Sequence, residues 1–329
     1  MRRRLAVLAA VPLLFAAACG SSGGDGSGTA ASPAASSASA AANGAPGSLT
    51  VAGKTGAKPT VTFTAGRPAN TSTSKVLDEG KGGAVKMGDN VVANMTVYTW
   101  DGKTNATGGS TYDNGAPEVV PLTDQLPKVV RDGFVATKPG GRFYAVVAAD
   151  NYTKEQLDEA KKQGADTSVA QVFVVDVLGA TQAKTASGKD TGATVKGVQL
   201  ENPGEGQAPK LTTKTSDKAS TKLVAETVIK GTGPEVKSGE FIMVQYVGKI
   251  WGTDSEFDSS WSRGGVPVLF QIGAGKVIKG WDEGLVGIPV GSRVLLTIPP
   301  DLGYGSAGQG DKIKGTDTLV FAVDVLGAF

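Results

Sequence analysis

Apolar and polar residues alternate along short runs over most of this chain, and two stretches carry a helical pattern instead. Residues 60 to 63, 91 to 100, 142 to 149 and 172 to 178 read as strands in the first part. In the second part Ile242, Val244, Tyr246, Gly248 and Ile250 share one face, against Met243, Gln245, Val247 and Lys249 on the other. Val268, Phe270 and Ile272 repeat the device, as do Val294, Leu296 and Ile298, and then Leu319, Phe321, Val323 and Val325. The composition of 153 to 162 is that of a surface helix.

The second helical stretch organises the C-terminal third. In V-I-K-G-W-D-E-G-L at 277 to 285, Val277, Trp281 and Leu285 recur every four residues and Ile278 leads Trp281 by three. All four share one apolar face, with Lys279, Asp282 and Glu283 turned away. A two-turn helix is marginal in water, so it persists only if strands wrap that face. Gly280 and Gly284 leave room for a backbone to come close. The expected architecture is an antiparallel sheet curled over the helix, with Trp281 as the floor of the hollow that the wrapping leaves open.

The chain also repeats itself. F-V-V-D-V-L-G-A at 173 to 180 recurs as F-A-V-D-V-L-G-A at 321 to 328, and Gly80, Gly82, Val85 and Gly88 match Gly231, Gly233, Val236 and Gly239. Trp100 matches Trp251, and Asp132-Gly133 matches Glu283-Gly284. Two tandem copies of one domain account for this, 49 to 180 and 209 to 329, with 181 to 208 as a linker of Thr, Gly, Lys, Asn and Pro. Each copy, at roughly 120 to 130 residues, is long enough for one modest core. On this alignment the first copy has Met95 at the position of Tyr246, Val130 at that of Trp281, and Tyr112-Asp113 approximating Phe257-Asp258.

Composition narrows the chemistry. The 329 residues are 40% apolar and 19% charged, and the net charge is +2, without a basic stripe that would suit nucleic acid. There is no histidine, which removes Ser-His-Asp and Cys-His machinery and His-bearing zinc sites. Neither a metal nor a cofactor is expected. Gly275-Lys276 is followed by Val277, where a phosphate-binding loop needs Ser or Thr, so a nucleotide enzyme is a poor fit. Asp282 and Glu283, adjacent on a helix, point apart and do not make a hydrolytic pair.

The single cysteine, Cys19, precludes an internal disulfide. Arg2 to Arg4, the apolar run Leu5 to Ala18 and the small residues before Cys19 resemble a bacterial lipoprotein signal over 1 to 19. The resemblance implies a lipid on Cys19 and an extracytoplasmic protein anchored to the cell membrane. Residues 20 to 48, rich in Gly, Ser, Ala and Thr, would be a disordered tether.

Tyr246, Phe257-Asp258, Val277-Ile278, Trp281, Tyr304 and Phe321 sit on segments that should converge on one hollow. A carboxylate beside aromatics must be paired, and Tyr246 and Arg263 are the expected partners of Asp258. F-D-S-S at 257 to 260, V-I-K-G-W-D-E-G-L at 277 to 285, V-G-S-R at 290 to 293, I-P-P-D-L-G-Y-G at 298 to 305 and T-L-V-F-A-V-D-V-L at 318 to 326 together resemble the FKBP-type peptidyl-prolyl isomerases. The resemblance implies an α+β fold of two FKBP-like domains, each a curved antiparallel half-barrel around a short helix. It also implies a pocket for a proline ring, and for macrolides. Trp281 would be its floor, Tyr246, Phe257, Val277, Ile278 and Phe321 its walls, and Asp258, Arg263, Tyr304 and Ile313 its rim. Lys276, Val268 and Gln309 depart from the family pattern.

Physical chemistry agrees with the resemblance. Rotation about an Xaa-Pro bond is opposed only by amide resonance, about 18 to 20 kcal/mol, so neither nucleophile nor metal is required. A dry aromatic hollow favours the twisted amide, which has less charge separation than the planar one. The expected partners are proline-containing chains of newly exported proteins, met by a monomer. The alternative is a chaperone module that binds unfolded chains without turnover. The first copy, lacking the aromatics, is expected to have little isomerase activity.

Overall fold

The computed structural model describes residues 47–102 and 105–329. Cys19, the signal-like segment and the tether up to residue 46 lie outside the described residues. Gly47 and Ser48, read as the end of the tether, are tied to the first hairpin: Gly47 N–H donates to Arg67 C=O at 3.0 Å and Thr64 N–H to Ser48 C=O at 2.8 Å.

The first sheet is built from the first half of the chain. β1 (Leu49–Ala52) and β2 (Thr60–Phe63) form a separate antiparallel hairpin. β3 (Thr73–Asp78), β4 (Asn90–Trp100), β5 (Asn105–Ser110), β6 (Glu118–Pro121), β7 (Arg142–Val147) and β8 (Ala170–Thr181) make a sheet of order β3-β7-β8-β4-β5, with β6 also on β4. Between them lie α1 (Thr111–Asn114), α2 (Lys128–Ala136) and α3 (Lys154–Lys162), the last starting at a capping box of Thr153 and Gln156.

A second sheet repeats that strand order. β9 (Lys189–Asp190), β10 (Gln199–Glu201) and β11 (Lys210–Thr212) precede β12 (Val224–Lys230), β13 (Phe241–Ile250), β14 (Glu256–Ser259), β15 (Val268–Gln271), β16 (Arg293–Ile298) and β17 (Leu319–Ala328). The order is β14-β13-β17-β16-β12-β9, with β15 also on β13, and β10 pairs with β11 as a separate hairpin. α4 (Lys279–Leu285) lies between β15 and β16.

Two expectations are corrected here. The strands were expected to bury one face, yet in β13 Met243, Gln245 and Val247 are as buried as Ile242, Val244 and Tyr246. One face of the second sheet packs around α4. The other is covered by Leu200 and Leu211 of the β10–β11 hairpin together with Val195 and Val198, which meet Val247, Leu295, Val320 and Ala322. Burial on both faces is why Met243 and Val247, opposite the face of Ile242, Val244 and Tyr246, are themselves apolar. The second correction follows from the first. Residues 181 to 208 are not a free linker: β9 pairs with β12, and Val195 and Val198 are buried. A few valines and leucines among polar residues suffice for a covering layer but leave no periodic signal. In the first sheet the β1–β2 hairpin occupies the matching place, with Val61 and Phe63 against Tyr98, Trp100 and Val172.

Each sheet holds a buried ion pair on its hairpin-covered face, Arg142 with Asp176 and Arg293 with Asp324, the second Nη–Oδ contact being 2.6 Å in each. Arg142 also donates to the C=O of Gly53 and Ala57, and Arg293 to Asn202, so both guanidiniums are anchored to the segment that covers them. A further apolar cluster joins the sheets: Val92, Val119 and Leu178 of the first meet Met243, Leu326 and Phe329 of the second. The Phe329 ring fills the space beside Gly179, where any Cβ would lie 1.9 Å from a ring carbon.

Candidate functional site

α4 is set by the loop before it and by the strand beneath it. Ile278 is the N-cap and offers no side-chain cap. Instead the Asp282 carboxylate accepts from the N–H groups of Gly273 at 2.6 Å and Gly275 at 2.8 Å, tying the 273–275 turn to the first helical turn. A Cβ at Gly280 would lie 2.6 Å from Ile298, and one at Gly284 2.7 Å from Leu296. The helix therefore lies directly on β16, closer than two side-chain-bearing elements can pack, and this lowers Trp281 into the sheet.

Trp281 is met edge-to-face by three rings. Ring centroids lie 5.4 Å away for Tyr246, 5.1 Å for Phe270 and 5.3 Å for Phe321, with interplanar angles of 89°, 71° and 83°. Phe257 adds an edge contact to Phe321 at 5.3 Å. Such contacts fix ring orientation beyond what area burial does. Above them opens a hollow of about 760 Å³, inside the range of roughly 300 to 1,000 Å³ usual for small-ligand sites. Trp281 is 3% exposed, so it offers the hollow only a small part of its surface, and its buried indole N–H has no hydrogen-bond partner.

The structure brings Tyr246, Phe257, Asp258, Val277, Ile278, Trp281, Tyr304, Ile313 and Phe321 to the lining of this one hollow. Arg263 stands behind it: its guanidinium donates to Asp258 and, at 2.8 Å, to the Tyr246 hydroxyl, and lies 5.7 Å from the Tyr246 ring centre. The Tyr246 hydroxyl in turn donates to Asp258 at 2.5 Å. Burial first, then the bond to the Asp258 carboxylate, pushes the Tyr246 phenol up to about 12. Burial also raises the Tyr304 phenol, with the negative charge of Asp258 adding to it. Ile313 lines the hollow from its inner side. It is buried and packs into the core, because the 309–313 turn closes on itself through paired backbone bonds between Gln309 and Ile313.

Three groups of residues at the hollow have no site role assigned from the sequence. Phe270, an aromatic wall against Tyr246 and Trp281, was already on the apolar face of its strand, and only its ring neighbours were missing. Gln245 and Ser260 are buried and link β13 to the turn that carries Arg263: Tyr246 N–H donates to Ser260 Oγ at 2.9 Å, Ser260 Oγ donates to Gln245, and Gln245 Nε2 donates to Gly265 C=O at 2.5 Å. Lys276, Lys279 and Lys312 also line the hollow, and Lys312 donates to Phe257 C=O at 3.1 Å.

In the first sheet α2 carries Val130 at the place of Trp281. Val130 is 3% exposed and packs with Phe134 and Phe143. The matching of Tyr112-Asp113 to Phe257-Asp258 is not what the strands give. Met95 N–H donates to Thr111 Oγ1 as Tyr246 N–H does to Ser260, and Val97 pairs with Gly109 where Gly248 pairs with Asp258. Gly109 therefore stands at the Asp258 position. Tyr112 turns to the other face and donates to Asp176, while Asp113 pairs with Lys58 at the surface. Among the described residues no group of three or more Asp, Glu, Cys or His side chains gathers to hold a metal ion, and no helix is long and apolar enough to cross a membrane.

A hollow with an aromatic floor and an ion pair at its edge is suited to binding and orienting an apolar group. The model of the family described as FKBP-type peptidyl-prolyl cis-trans isomerase matches residues 233–326. The "FK506-binding protein" of Streptomyces anulatus is 45% identical over 105 residues, 32% of this chain and 84% of that protein. The "Probable FK506-binding protein" of Corynebacterium glutamicum is 43% identical over 106 residues, covering 32% of this chain and 86% of that protein. The crystal structure of FkpA from Escherichia coli shares 39% identity over 34% of this chain and 50% of that one, with a TM-score of 0.30. The chain belongs to the FKBP-type peptidyl-prolyl cis-trans isomerases. Its reaction is rotation about the amide bond that precedes proline.

Proposed function

We propose that the hollow over Trp281 is where the reaction takes place, on proline-containing segments of exported proteins. The observation that carries this is the convergence of four rings, Tyr246, Phe270, Trp281 and Phe321, beneath an opening at which the carboxylate beside the rings, Asp258, is already paired with Arg263. The prolyl ring sits on these rings, and the planar amide loses solvation that the twisted amide needs less. Each 1.4 kcal/mol of that difference is about tenfold in rate. The Ile278 N–H and the Tyr304 hydroxyl hold the flanking carbonyls, so that only the prolyl bond turns. Asp258 and Arg263 fix the Tyr246 ring rather than exchange a proton.

The same reading makes the two sheets a duplicated FKBP-like domain, the first copy retaining the packing without the site. Its second copy begins before residue 190, because β9 and the 195–198 segment are part of its cover. Lipidation of Cys19 would place both copies outside the cell, on a tether, and macrolide ligands of the kind named for the relatives would compete with peptide for the hollow. The test is catalysed isomerisation of a short Xaa-Pro peptide by the chain from residue 20 onward, with and without FK506. Interconversion at the spontaneous pace would overturn the site reading. The mass of the mature N-terminus tests the lipid on Cys19.

A further inference from the structure

The charges around the hollow are unequal. Asp258 and Asp311 are the acidic residues of its lining, against Lys276, Lys279 and Lys312. Asp258 is consumed by Arg263, with which it forms an ion pair at the edge. Asp311 alone then opposes three ammonium groups. Two of these, Lys276 and Lys279, are exposed and immediately flank Val277 and Ile278, the wall proposed to hold a substrate carbonyl. Lys312 is held across the hollow by its bond to Phe257 C=O, so its charge stays at the mouth. The nearest carboxylate on α4, Asp282, is turned to the N–H groups of Gly273 and Gly275 and lies outside the lining, and Glu283 also lies outside it.

From this arrangement we infer that Lys276, Lys279 and Lys312 make the site selective for prolines that have an acidic residue within two positions. The inference rests on the reading of the hollow as the prolyl site. A peptide backbone held at Ile278 carries its neighbouring side chains past both flanking lysines, and a carboxylate there meets positive potential from two sides. A lysine in the same place is repelled. Exposed charges at such separations interact weakly in water and are screened within about 10 Å at 0.1 M salt, so the preference is moderate and dependent on ionic strength. It acts on substrate choice and leaves the twisting of the amide to the rings.

Three otherwise identical peptides carrying Glu, Gln or Lys next to proline test this with the full mature chain. The expected kcat/KM ratio of the Glu to the Lys peptide is roughly threefold to tenfold at low salt, with Gln between them, collapsing toward unity near 0.5 M salt. In a Lys276→Glu, Lys279→Glu variant the order should invert, and because the readout is the ratio within each protein, a general loss of activity does not obscure it. Chemical-shift changes on titrating each peptide give the same order as binding affinity, independent of turnover. Equal ratios with normal turnover of the Gln peptide, or an unchanged order in the variant, overturn the inference while the prolyl site stands. No turnover of any peptide removes the prolyl site and this selectivity with it.

Discussion

The Tyr246 hydroxyl donates to Asp258 at 2.5 Å and receives a second bond, from Arg263, at 2.8 Å. One phenol is thus fixed by a group that pulls its proton and a group that stabilises its oxygen. The Tyr246 ring so held meets Trp281 at an interplanar angle of 89°, with the centroids 5.4 Å apart.

Removing the carboxylate should separate activity from stability. Asp258 and Arg263 are half-exposed, so Asp258→Ala is expected to cost no more than about 1 kcal/mol in urea unfolding. The loosened Tyr246 ring should nevertheless lower kcat/KM by roughly tenfold, equivalent to about 1.4 kcal/mol. Measuring both on one preparation checks the split, and equal fractional losses would contradict it.

Trp281 is a core residue and, on the proposed reading, also the floor of the site. Trp281→Ala should destabilise the second sheet by about 3 to 5 kcal/mol and abolish catalysis. Trp281→Phe, which keeps an edge-to-face partner for Phe321, should retain most of the stability and part of the activity. Thermal unfolding and peptide turnover of the two variants distinguish a floor from mere filling.

Activity should not depend on pH over the neutral range. The chain has no histidine, and twisting an amide moves no proton, so kcat/KM is expected to be flat from about pH 6 to 9. At high pH the sign is set by Tyr246. A phenol that ionises near 10 when unfolded and at about 12 when folded favours the folded state fully below about pH 10. That contribution is lost as the pH rises from about 10 through 12. In Tyr246→Phe the fall in stability across that window should be shallower, as read by unfolding midpoints and tyrosinate absorbance.

Where the second unit begins can be tested by truncation. A fragment starting at residue 209 lacks Val195 and Val198, each buried against the face of Val247 and Leu295. At about 1.5 to 3 kcal/mol for each valine, and with Leu200 and the β9 pairing lost as well, it should be at least roughly 3 kcal/mol less stable than one starting at residue 183. Equal stability would mean the 195–198 segment covers the face without holding it.

What could be read in the residues was whatever has a period. The alternation of Ile242 to Ile250 marks a strand where β13 lies, and the spacing of Trp281 and Leu285 marks the buried face of α4, but the helix begins only at Lys279, so Val277 and the extended N-cap Ile278 precede it instead of sharing its face. The outer cover was invisible because Val195, Val198 and Leu200 are scattered among Thr, Lys and Gly, and their burial depends on a sheet formed much later in the chain. The misplacement of Tyr112-Asp113 has a different cause. Two adjacent side chains resembled Phe257-Asp258, whereas register is set by a hydroxyl, Thr111 or Ser260, reaching a strand N–H. A small polar residue after a strand was the better guide, and it carries no hydrophobic signal.

Gly280 and Gly284 act as a depth gauge for the whole hollow. Because Ile298 and Leu296 already lie 2.6 and 2.7 Å from where their side chains would begin, a methyl group at either position must displace the facing side chain or shim the helix away from β16. A shimmed helix would carry Trp281 up with it and close the opening from below. The capacity of the cup is thus set by two side chains that are missing, and the smallest change there would be felt at the far end of the indole.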